Sequence, residues 1–254
     1  PGSKIAEADL DELTKTMRYV FENYNSPEVI KKMEKAKEVK DLLTWERAAK
    51  EMSDLIEASL DIPKLKEKKM AVVSTYNSNC GIAVYSQDLY EKLINSFNIV
   101  NIYANKDISS QLQVDPKYIK RIWELKEPSF DKLKQELLKD KPEYIHIQYN
   151  SSFFSPLRLL DLINFSRDNG IKCIVTLHSI IDSLNDIKHE LNSLDVLLVH
   201  SKDDIKALKE LGINNAISID HGIPNYPDTD IFELQKRLGL EGRRVISTHG
   251  LIHD

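Results

Sequence analysis

Several short stretches place a histidine, an amide or a hydroxyl directly after an apolar run, which is how hydrogen-bonding chemistry reaches the end of a strand. Residues 171–177 are nearly all apolar and deliver His178. Residues 195–199 lead to His200-Ser201, 216–219 to Asp220-His221-Gly222, and 245–248 to His249-Gly250. Residues 143–149 end in the polar cluster Gln148-Tyr149-Asn150, and the run from Met70 meets Asn77, Ser78 and Asn79 before Gly81-Ile82. An imidazole at a strand end can hydrogen-bond a hydroxyl or stabilise charge, and it can equally cap the next loop. Gly81 permits a turn or a close backbone approach. His178 is the catalytic candidate. A cleft is assigned to Asn79, Gly81, Ile82, Tyr149, Asn150, Ser201, His221, Gly222 and Gly250. His178 placed for function should be removable at little packing cost, whereas His146, between Ile145 and Ile147, reads as core.

Other chemistries lack their spacing. Cys80 and Cys173 stand far apart, and no grouping has metal-ligand spacing, so no metal is assigned. Asp228-Thr229-Asp230 precedes a helical pattern and reads as a capping segment. The GxGxxG fingerprint of dinucleotide binding and the GxSxG nucleophile elbow are both absent.

The elements that must position these residues alternate. Residues 70–93 read as strand, glycine turn and helix, the opening unit of a doubly wound α/β domain, whose ligands bind at the carboxyl ends of the strands. Strands follow at 98–103, 118–123, 143–149, 171–177, 195–199 and 216–219, with helices at 130–138, from Pro156 to Asn169-Gly170, and before Gly212. The apolar run at 171–177 suits a strand buried on both faces of a parallel sheet. Before Met70 the pattern is different: three amphipathic helices, with Asn25-Ser26-Pro27 between the first two and Thr44 capping the third. The expected fold is an α/β doubly wound parallel sheet, Rossmann-like, with an N-terminal all-helical segment. Its divisions are a helical segment 1–61, a linker 62–69, a Rossmann-like domain 70–242 and the start of a second domain at 243–254.

Composition narrows the class. With 254 residues and 41% hydrophobic content the chain can bury a sizeable core. A formal net charge of -5 argues against nucleic acid as partner. No apolar run approaches a membrane span, and two unpaired cysteines suit a reducing, cytoplasmic setting.

CGIAVYS at 80–86, YIHIQYN at 144–150, VTLHS at 175–179, VHSKDDIKALKELG at 199–212 and IDHGIP at 219–224 resemble, in order and spacing, the amino-terminal domain of GT-B glycosyltransferases of family 4. The terminal RRVISTHGLIHD is similar to the linker and first strand of that family's second domain. The leading helices resemble the family's carboxyl-terminal tail, with Thr44-Trp45-Glu46 at its Ser/Thr-Trp position; a helical leader that merely packs on the sheet is the alternative. The resemblance implies a retaining, hexosyl-type transferase in polysaccharide biosynthesis, with tandem domains. It would move sugar from a nucleotide-sugar donor to a saccharide or lipid-linked acceptor, with peripheral membrane contact and no cofactor. It places His178 beside the donor sugar, and 45–60 across the sheet's flank. The family's donor-gripping lysine loop and glutamate pair belong to a second domain that the parent protein would supply, so the chain alone is expected to be inactive. A noncatalytic binding or scaffolding domain is the other class considered.

Overall fold

A computed structural model describes residues 9–60, 67–106, 114–126, 129–224, 230–243 and 245. The helices are α1 (Leu10–Glu22), α2 (Pro27–Leu42), α3 (Trp45–Leu60), α4 (Gly81–Leu93), α5 (Asp131–Asp140), α6 (Pro156–Asp168), α7 (Lys188–Asn192), α8 (Lys202–Glu210) and α9 (Ile231–Arg237). The strands are β1 (Lys69–Val73), β2 (Asn98–Asn105), β3 (Ile119–Trp123), β4 (Tyr144–Tyr149), β5 (Lys172–Leu177), β6 (Val196–Val199) and β7 (Ala216–Ser218). They form one all-parallel sheet in the order β3-β2-β1-β4-β5-β6-β7. This is the expected α/β Rossmann-like fold. The strand order reverses between β1 and β4, the position where such sheets open a crevice.

Strand alternation divides the core into two layers. Ala71, Val73, Ile145, Ile147, Tyr149, Cys173, Val175, Leu177, Leu197 and Val199 face α5, α6, α7 and α8. Met70, Val72, Tyr144, Ile174, Val196 and Leu198 face α3 and α4. Side chains one residue apart on a strand point to opposite faces, so both layers demand apolar residues and the strands read as continuous runs. A 3₁₀ turn at Asp182–Ile187 and the short α7 are elements that the periodicity missed; each carries one or two buried apolar residues, Leu184, Ile187 and Leu191, too few for a helical stripe.

Helix α3 belongs to the sheet. Its residues Trp45, Ala48, Ala49, Met52 and Ile56 are buried in the same layer as α4 and the strands. Thr44 forms a parallel bridge with Ile223, whose N–H donates to the Leu43 carbonyl at 2.5 Å. The compact unit that holds the sheet therefore spans Leu43–Ile223. A hydrophobic stripe on a leading helix could not show which body it covers. The second unit collects α1 and α2 with the segment after Pro224 that contains α9. There the Asp9 carboxylate caps α1, the Tyr19 hydroxyl donates to Glu28 at 2.7 Å, and the Asp230 carboxylate caps α9 by accepting from the Phe232 N–H. Asp230 is thus a cap, as its sequence position indicated; Asp228, Thr229 and the strand expected at 245–248 lie outside the described residues, Val245 alone excepted. No helix among the described residues is long and apolar enough to cross a membrane.

Trp45 fixes α3 in place by close approach. A Cβ at Gly222 would lie 2.3 Å from the indole, so the ring packs flat against a backbone that has no side chain to displace it. Trp45→Ala is expected to cost about 3–5 kcal/mol, and Gly222→Ala about 1–3 kcal/mol through overpacking. The double variant should lose less than the sum, because the new methyl enters the space the indole vacates. Urea unfolding of the four proteins gives the coupling energy; strictly additive losses would refute the contact.

Candidate functional site

At the carboxyl edge of the sheet, His178 and His200 directly follow β5 and β6, His221 lies three residues past β7, and the three rings meet. His178 and His200 centroids lie 4.8 Å apart, and those of His200 and His221 3.9 Å. Tyr85, one turn into α4, meets all three rings edge-on at 4.8 Å, 5.1 Å and 5.0 Å. Trp45 stands edge-on to Tyr85 at 5.2 Å and to His221 at 6.4 Å. His178 and His200 are half-buried and His221 is exposed. His221 makes no hydrogen bond among the described residues, so its imidazole is open to a ligand.

A buried polar chain runs from this cluster down the α4 face. Gln148 Nε2 donates to the Tyr90 hydroxyl at 2.6 Å, leaving Tyr90 to donate to His146 Nδ1 at 2.9 Å. His146 Nε2 lies 2.8 Å from the Thr176 hydroxyl and 3.2 Å from the same Gln148 amide nitrogen. With its amide nitrogen spent, Gln148 presents Oε1 to His178, whose Nε2–H donates to it at 2.7 Å. His178 Nδ1 in turn faces His200 Nε2 at 3.2 Å. Each member of this chain is held by its neighbour, and the sheet register sets the spacing: His146 pairs with Ile174 and Gln148 with Thr176 in adjacent strands.

Burial keeps these imidazoles neutral. It pushes His146 down to about 3 and His200 to about 4, and it holds His178 well below the ordinary 6.5, with the neighbouring imidazoles adding repulsion. His221 is lowered less, since Asp204 and Asp220 counter its burial. Burial also raises the Tyr85 and Tyr90 hydroxyls, which stay protonated.

The expected site residues divide. His178, His221 and Gly222 come together, and Ser201 lies beside them, though its hydroxyl is occupied in capping α8 by accepting from the Asp204 N–H at 3.0 Å. His178 Nε2–H is committed to Gln148 Oε1, and removing the ring would leave that buried oxygen without its donor. Tyr149 is fully buried on the opposite face, its ring centroid 5.4 Å from that of Phe154, because the residue after Gln148 must point away from it. Asn150 builds the loop after β4, accepting from the Ser152 N–H and hydroxyl. Asn79 and Gly81 are exposed; Gly81 has an ordinary φ, and a Cβ there would meet no protein atom, so neither conformation nor protein packing requires the glycine. Ile82 packs against the α6 layer. Gly250 lies outside the described residues.

Sequence reading undervalued His200 and missed Gln148, Tyr85, Tyr90, Thr176 and Trp45 as parts of one arrangement. A signal was available: His146 and Gln148, with Thr176 and His178, are polar residues two apart on strands otherwise apolar throughout. Such residues share a face. No known protein family matches this sequence, and no curated protein matches it.

Two measurements test the network. His178→Ala and His146→Ala should each destabilise the fold by about 1–3 kcal/mol through a stranded buried partner, and a neutral His178→Ala would remove His178 from the chain of bonds. The depressed histidines contribute stability that is fully present above the unfolded value of 6.5 and is lost as pH falls toward about 4 for His200. His200→Gln should therefore flatten the decline in melting temperature between neutral pH and pH 4; an unchanged slope would show that His200 titrates normally.

Proposed function

We propose that this chain supplies the acceptor-side domain of a family 4 type GT-B glycosyltransferase, which passes a sugar from a nucleotide donor to a saccharide or lipid-linked acceptor. One observation supports the reading: the segments that carry the resemblance each include a loop on the carboxyl edge of the sheet. The loop after β1, Asn150 after β4, His178 after β5, His200-Ser201 after β6 and His221-Gly222 after β7 occupy the edge where a doubly wound sheet binds ligands. The seating of Thr44-Trp45 on Gly222 adds support, since the family's last helix crosses back onto the first domain.

In this reading the imidazoles work as neutral groups. Neutral His221 can accept a hydrogen bond from a sugar hydroxyl at one nitrogen and donate at the other. His178 acts as a positioning residue: Gln148 and His200 fix its ring, and it holds His200 against His221. Tyr85 and Trp45, both buried, pack beside the imidazoles and hold them in place. Rate would come from stabilising the departing phosphate and an oxocarbenium-like centre, with the anomeric configuration retained.

The test is a histidine side-chain NMR titration of the chain with a panel of saccharides, lipid-linked saccharides and nucleotide sugars. An acceptor-type saccharide should shift the His221 signals first, and His221→Ala should weaken that response by about tenfold, the scale of one hydrogen bond. Shifts confined to other histidines, or none with any sugar, would overturn the proposal.

A further inference from the structure

We infer that His178, His200 and His221 form a three-imidazole site for a borderline divalent cation of the zinc class, at the carboxyl ends of β5, β6 and β7. The inference holds whether or not the sugar-transfer reading does.

The geometry comes first. One ring nitrogen from each histidine lies within 4.8 Å of the other two. The closest pair, His178 Nδ1 and His200 Nε2, is 3.2 Å apart. Two nitrogens bound to one tetrahedral zinc at about 2.0–2.1 Å are separated by about 3.3 Å. Two of the three ligands therefore already stand at coordination spacing. His221, exposed and without a hydrogen bond among the described residues, closes the remaining distance by a side-chain turn.

Proton placement comes second. Gln148 Nε2 is committed to Tyr90, so Gln148 Oε1 must receive the proton of His178 Nε2, and His178 Nδ1 carries a lone pair. His200 Nδ1 faces the Ile219 carbonyl at 3.4 Å, an acceptor only, which places the second proton there and the lone pair on Nε2. The outer hydrogen bonds thus aim both free lone pairs at one point. A ring N–H given to an amide or backbone carbonyl, with the other nitrogen turned inward, is the usual support of a metal-bound histidine. The competing arrangement puts the His200 proton on Nε2, donating to His178, and turns the Nδ1 lone pair against a carbonyl oxygen.

The surroundings select the ion. Three neutral imidazoles with no carboxylate in the set suit zinc, copper or nickel, and leave magnesium and calcium without their oxygen ligands. Tyr85 closes one side of the cluster, while Asp204 and Asp220 place negative charge beside His221. A three-histidine set leaves a fourth position for water or an oxygen ligand.

Chelator-treated full chain without a histidine tag, titrated with Co(II), should develop the visible absorption of tetrahedral coordination at a single equivalent. Zn(II) should displace it and Mg(II) should not. His221→Gln is the decisive variant, because this exposed side chain supports no hydrogen bond among the described residues. It and His200→Gln, each checked for native circular dichroism, should weaken Co(II) binding by at least about a hundredfold. His189→Gln, an exposed histidine elsewhere, should bind as wild type does. No Co(II) uptake at about 100 µM metal, or His221→Gln and His200→Gln variants that bind as tightly as wild type, would overturn the site.

Discussion

A parallel sheet has to be covered on both faces, and its own crossovers cannot always do it. From β1 the chain steps to β2 through α4, which lies on one face. After β4 it steps the other way, through α6, α7 and α8, and right-handed crossovers then put those helices on the opposite face. The α4 face over β5, β6 and β7 is left bare. Helix α3 fills it, packing Met52 and Ile56 in the layer that holds Ile174, Val196, Leu198 and Ile219. Everything at the histidine cluster depends on that placement, because Trp45 at the start of α3 is one wall of it.

The same face holds the fold's main departure from an apolar interior. His146, Gln148 and Thr176 are fully buried, and each unpaired polar group there would cost stability. They are tolerated because every one has a partner, with Tyr90 supplied by α4 and His178 by the strand end. The chain of bonds links the sheet interior to its ligand edge, so ring orientation at His178 is set by groups more than one residue layer below. Neutral imidazoles follow from the burial, and neutral imidazoles are also what accept hydrogen bonds from hydroxyls or bind a cation.

The sugar-transfer reading and the cation site use the same three rings differently. In the first, His221 meets a hydroxyl while His178 and His200 hold it. In the second, the lone pairs of all three converge on an ion whose fourth position faces outward. A cation there would tie the loops after β5, β6 and β7 together beneath Tyr85 and would still leave that edge able to receive an oxygen ligand.

The alternation of apolar runs and glycine-bounded helices determined the α/β class, the strands and the edge that carries polar residues, because periodicity and turn chemistry are local properties. It placed His178, His200 and His221 each at a strand end without showing that they touch, since sequence separation says nothing of strand order. The face on which Tyr149 lies was hidden for a related reason: a strand's last residues alternate between faces, and only register tells which face meets which layer. Gly222 was assigned to a cleft, and the contact that excludes a side chain there, the Trp45 indole against its backbone, comes from a helix some 170 residues earlier. The resemblance had put 45–60 on the sheet's flank, but tertiary structure alone decided which strands it covers and which nitrogens face one another, because both depend on contacts between segments that have no local signal of each other.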